Sequence, residues 1–154
     1  MAYTFTNTER NNLKAYVFET KSLLYLAANC KKYNDITVLT VDCFNDVAGM
    51  SDAESLWDVQ AKGEKSLTPR KIGSYLITLY KNYCSGFSPF FQEFIFFMPQ
   101  LKERYLKDPT LSSYEIGNFK EEQLAKVIEG LKVTAELEAG TDISAFLEKV
   151  LFVE

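Results

Sequence analysis

Asp46, Gln60 and Lys62, together with Glu19 earlier in the chain, are the residues whose types and spacing suit one reaction. Phe44 to Gly49 and Ser55 to Lys62 read as two strands joined through a polar turn at 50–54. Side chains alternate in direction along a strand. In the matching register, one side of the pair presents Asp46, Gln60 and Lys62. A carboxylate and an amide oxygen are hard ligands of the kind Mg²⁺ (or Mn²⁺) takes, few per ion, with water completing the shell. Such an ion polarises a phosphate and lowers the pKa of a water. A lysine two residues along on the same face orients that water or stabilises charge developing on the phosphate. Glu19, from a preceding helix, adds a second carboxylate. The chemistry these groups suit is phosphodiester hydrolysis. Asp58 shares the Gln60 face and reads as a solvated or pairing residue.

Positioning these groups falls to the surrounding elements. Thr6-Asn7-Thr8-Glu9 resembles a capping box, and the spacing predicts a first helix from about Thr8 to Lys32. Its apolar stripe runs through Leu13, Val17 and Leu24, with Glu19 near the stripe's edge. Ile36 to Val41 is β-branched and alternating, a strand. Thr68-Pro69 starts a helix whose buried stripe is Ile72, Tyr75, Leu76, Leu79 and Tyr83, ending near Gly86. Phe90 to Met98 reads as a buried strand, and the aromatic run Phe87, Phe90, Phe91, Phe94, Phe96 and Phe97 reads as core. Leu101 to Tyr114 is a short helix or loop. Asn118-Phe119-Lys120-Glu121 caps a helix that stops near Gly140, and Asp142 caps a last turn. Val150 to Val153 is a final strand. The order is helix, three strands, helix, strand, helix, strand, which predicts an α/β fold with a mixed central sheet flanked by helices.

Composition narrows the alternatives. The 154 residues suffice for a single domain with a core. With no histidine, Ser-His-Asp and Cys-His catalysis and histidine-ligated zinc are excluded. Three scattered cysteines give no disulfide framework and fit a reducing, cytoplasmic setting. Cys43 and Cys84 read as small buried hydrophobes. No apolar run reaches the roughly 18 residues of a membrane span. Seven glycines without a Gly-rich loop argue against a nucleotide-binding enzyme. The net charge of −4 hides a basic stretch: Lys62, Lys65, Arg70, Lys71 and Lys81 stand against one acidic residue, Glu64. Arg70 and Lys71 fall in the first turn of the Pro69 helix, where anions are favoured. Lys65, Arg70 and Lys71 are candidate contacts to DNA phosphates.

The pattern of a helix glutamate, then Asp46, then Gln60-x-Lys62, resembles the PD-(D/E)XK superfamily of restriction-endonuclease-like nucleases. Gln60 stands where that family usually has Asp or Glu, and this version is similar to Mrr-type restriction enzymes. It is also similar to the DNA-endonuclease effector domains of bacterial anti-phage systems of the CBASS and Lamassu types. The similarity spans most of the chain, from the Glu19 helix through Asn45-Asp46-Val47 and Asp58 to Lys62 to the Phe-rich strand at 90–98. It implies a restriction-endonuclease-like sheet, with Asp46, Gln60, Glu19 and the Ala61 carbonyl binding Mg²⁺ or Mn²⁺ and Lys62 catalytic. It also implies double-stranded DNA as substrate, no membrane, and an N-terminal place in a longer protein that works as a homo-oligomer or with further domains of a defence complex. Because Gln60 removes one negative charge, the alternative is a catalytically degenerate module of the same fold serving protein interaction or oligomerisation.

Overall fold

The computed structural model of the protein describes residues 7–29, 36–138 and 140–154. Helix α1 (Asn7–Ala28) leads into three antiparallel strands, β1 (Ile36–Val41), β2 (Val47–Ser51) and β3 (Leu56–Ala61). Two short helices, α2 (Pro69–Tyr75) and α3 (Ile77–Tyr83), connect β3 to β4 (Phe91–Phe97), which runs parallel to it. Then come β5 (Ser113–Glu115), α4 (Glu121–Thr134), the single turn α5 (Ser144–Leu147) and β6 (Val150–Val153). The six strands form one mixed sheet in the order β1-β2-β3-β4-β6-β5. This is the expected α/β architecture, a mixed sheet with helices on both faces.

The strand sequences account for the layers. Trp57, Val59 and Ala61 of β3 and Ile95 and Phe97 of β4 form one apolar face with Leu26 of α1. Leu56, Phe94, Phe96 and Phe152 form the other, against Ile72, Leu76, Leu79, Val127 and Leu131 of α2, α3 and α4. β4 is flanked on both sides by parallel strands and is buried from Phe94 to Phe97, which explains the apolar run there. Phe87 and Phe90, expected in the core, precede the strand and are exposed.

Several elements differ from expectation. α1 ends at Ala28, and the expected cap at Thr6 and end at Lys32 lie outside the described residues, as does Cys30. Two of its expected stripe residues, Val17 and Leu24, are 42% and 62% exposed, while Phe18, Tyr25 and Leu26 pack inward; the Leu13 side chain lies outside the described ones. The helix is apolar on two sides, so periodicity alone does not choose between them. Phe44 to Asp46 are a loop, and β2 begins only at Val47. That loop opens with Asp42 at φ 56° and closes with the Asp42 N–H donating to the Asp46 carbonyl (3.2 Å). Thr68 caps α2 as expected, accepting from the Lys71 N–H, but the helix breaks at Leu76, just after Gly73-Ser74. Asn118 is no cap; its amide is paired with the Asp108 backbone. Cys43 and Cys84 are exposed, because one lies on the 42–46 loop and the other just past the end of α3.

α2 crosses α4 at two glycines. A Cβ on Gly73 would sit 1.9 Å from the Val127 carbonyl oxygen, and one on Gly130 would sit 1.9 Å from that of Arg70. Backbone touches backbone at this crossing, so an alanine must push the helices apart. Gly73→Ala is expected to destabilise the domain by about 2 kcal/mol, a typical overpacking loss. A urea melt checks this; an unchanged midpoint would contradict it.

Candidate active site

β2 and β3 pair with Val47 opposite Val59 and Ala48 opposite Asp58. Continuing that register brings Asp46, one residue before β2, opposite Gln60. Its carboxylate Oδ2 accepts from the Gln60 amide Nε2 and from the Ala61 N–H (2.7 Å). A strand residue's N–H and C=O share one edge, so the Ala61 carbonyl is directed to the Asp46 side too. The next residue's N–H, from Lys62, points the other way and donates to Phe97 O (2.8 Å). The Lys62 ammonium lies 5.3 Å from the Tyr75 ring centroid, a cation–π contact that holds it beside α2.

Glu19 reaches the same locus from α1. Burial first, then the Asp46 and Asp42 carboxylates, push its carboxyl above the usual value, and Lys62 partly offsets them. Of the expected quartet, Asp46 and Gln60 are in direct contact. Asp46 and Lys62 lie near enough to act on the charge of Glu19, as does Asp42, which is unforeseen in the sequence.

Gln60 is 3% exposed and held on both sides. Its Nε2 faces Asp46, and its Oε1 accepts from the Thr78 hydroxyl of α3 (2.7 Å). Two residues earlier, Asp58 is held the same way. Its Oδ2 accepts from Asn45 of the loop (2.6 Å) and from Asn82 of α3 (2.7 Å). Asp58 is fully buried rather than solvated, because α3 covers this face of β3. Its Oδ1 has no hydrogen-bond partner among the described residues. Burial pushes its carboxyl up to about 6, against the hydrogen bonds from Asn82 and Asn45 that favour the ionised form. Thr78 and Asn82 sit one turn apart on α3, so they meet β3 residues on one face. That four-residue spacing, beside the stripe of Leu76 and Leu79, is the only sequence signal that could have singled them out.

The basic candidates are arranged differently. Lys65 is exposed in the loop before α2. Arg70 pairs with Glu129 of α4 (3.1 Å), and Lys71 with Glu64 (2.6 Å). Both pairs are largely exposed, of the kind worth little in water. An incoming phosphate has only such weak partners to displace.

The donor set can be tested against a divalent ion. Among the described residues no three acidic or cysteine side chains are disposed to hold a metal. Asp46, with Glu19 as a second carboxylate, amide and carbonyl oxygens from Gln60 and Ala61, and water would make the shell. That fits Mg²⁺, which keeps several waters and takes one or two carboxylates. Burial raises the Glu19 carboxyl first, and the Asp46 and Asp42 carboxylates add to it; a cation there would offset the part that comes from those two charges. Gln60 must turn its amide to present Oε1; the Thr78 hydroxyl accepts as well as donates, so the amide keeps a partner either way.

Compared with known proteins, the chain matches no family model, no curated protein and no solved structure. Among the described residues, no helix is long and apolar enough to cross a membrane.

Proposed function

We propose that this domain is a Mg²⁺- or Mn²⁺-dependent endodeoxyribonuclease, the cytoplasmic effector part of a bacterial anti-phage protein acting on double-stranded DNA. The observation that carries the reading is the Asp46 carboxylate held against Gln60 and the Ala61 N–H, with Glu19 and Lys62 near enough to act on each other's charge. The element order supports it: a helix, an antiparallel three-stranded meander, and a helical crossover to a parallel strand agree with the restriction-endonuclease-like expectation. The ion supplies polarisation of the scissile phosphate and a water of lowered pKa. Asp46 and Glu19 provide the negative charge that holds it. Lys62, propped on Tyr75, orients the attacking water and offsets charge on the phosphate. Lys65, Arg70 and Lys71 hold the backbone of the duplex without reading its sequence. So few cations make weak binding that falls with salt, so further domains or a homo-oligomer supply the remaining affinity.

A second reading, a degenerate module of the same fold serving interaction or oligomerisation, is favoured by one observation: the Gln60 amide nitrogen sits on Asp46 where a cation would go. Supercoiled plasmid at low salt decides between them. Nicking or linearisation is expected with Mg²⁺ or Mn²⁺ and none with EDTA. Folded protein that leaves the plasmid intact at high concentration with either ion would favour the second reading.

A further inference from the structure

Asp58 plays no part in the chemistry above, yet it is a fully buried carboxylate two residues from Gln60 on the same face of β3. Burying a charge is costly unless its partners are well placed. Its two partners come from the two elements that frame the site. Asn45 belongs to the loop that carries Asp46, and Asn82 lies one helical turn from Thr78, which holds Gln60. Two parallel rows thus cross β3: Asn45–Asp58–Asn82 and Asp46–Gln60–Thr78.

We propose that Asp58 is a positioning residue, which ties the 42–46 loop to β3 and α3 and so fixes where Asp46 presents its carboxylate. The loop needs such a tie. It is irregular, with a positive φ at Asp42, and Cys43 beside it is exposed. Asn45 is the immediate neighbour of Asp46, so a bond that fixes the Asn45 side chain limits the rotations open to the next residue. Groups that orient metal ligands from behind characteristically govern affinity in this way. The inference rests on the metal-site reading proposed above.

Its test is Mn²⁺ titration followed by the electron paramagnetic resonance of the free ion, which needs no cleavage. Wild type, Asp46→Ala, Asn45→Ala, Asp58→Ala and Asp58→Asn are compared, each also melted in EDTA. Wild type is expected to bind and Asp46→Ala not to. Asn45→Ala and Asp58→Ala should lose about tenfold or more in affinity, whereas Asp58→Asn, which keeps an oxygen for both donors, should lose less than about threefold. A merely structural role would lower affinity only where the protein begins to unfold. Asn45→Ala, which leaves the buried Asp58 carboxylate one donor short, is expected to melt somewhat lower yet to lose affinity at temperatures where it is fully folded. Wild-type affinity in Asn45→Ala, or a loss in Asp58→Asn as large as in Asp58→Ala, overturns the positioning role while the metal site stands. Equal Mn²⁺ behaviour of wild type and Asp46→Ala overturns the metal site and this proposal with it. If Asp58→Ala does not fold, Asn45→Ala, on the half-buried loop, decides alone.

Discussion

Lys62→Ala is expected to cut supercoiled plasmid roughly 10²–10³-fold more slowly than wild type in Mg²⁺, the loss typical of removing one charge-stabilising donor from a site. Its fold should be untouched. The side chain is only partly buried, and its backbone N–H, which donates to Phe97 O, is present in alanine as well. What disappears is the ammonium and its contact with the Tyr75 ring, worth about 0.5–1 kcal/mol at an exposed position. The melt should therefore shift little while cleavage collapses, and that split separates a catalytic lysine from a structural one. Lys62→Arg should recover little, since a planar guanidinium cannot take the place of a compact point charge. Lys65→Ala is the control: an exposed residue whose loss should weaken DNA binding at moderate salt and leave the rate at saturating DNA alone. Lys62→Ala cutting at the wild-type rate would remove this lysine from the mechanism.

Much of this site could be read from spacing. The alternation of Trp57, Val59 and Ala61 against Asp58 and Gln60 sets the two faces of β3: the first three pack with α1, and the other two turn to α3, where they are buried rather than solvated. That Asp46 and Gln60 share one side of the strand pair is expected from the period of two in the matching register. Asp46 lies in the loop rather than the strand, but the register continued one residue past the last ladder pair sets it opposite Gln60. What could not be read depends on contacts remote in sequence. α1 offers apolar residues on two sides, and only the presence of the sheet selects Phe18 and Leu26 over Val17 and Leu24. Arg70 looks like a free cation until α4 brings Glu129 against it. Asp58 looks solvated because nothing in a strand pattern announces that α3 will cover it. Each error has the same origin: periodicity gives a residue's direction, whereas burial is set by what packs on that side.

Asp58 also makes stability depend on pH in a direction opposite to that of a salt-bridged carboxylate. Its carboxyl is raised from 3.8 to about 6, chiefly by burial. Between those values the folded chain binds more protons than the unfolded one, so stability is greatest below the lower value and falls as pH rises through the window. A shift of this size corresponds to roughly 3 kcal/mol lost by pH 8 in metal-free protein. Asp58→Asn abolishes the titration and leaves an amide oxygen for Asn45 and Asn82. The variant is therefore expected to be more stable than wild type by up to about 3 kcal/mol at pH 8 and nearly equal to it at pH 4. Urea melts of both proteins in EDTA across that range measure the difference. A gap independent of pH would mean that the two amide donors cancel burial, so that Asp58 binds its proton alike in the folded and unfolded chain. A divalent ion should narrow the gap at pH 8, because positive charge near Asp46 favours the ionised form of Asp58 as well. The same buried charge that costs the apo domain stability would then be stabilised when the site is filled, tying the tightness of the 42–46 loop to occupancy of the metal site.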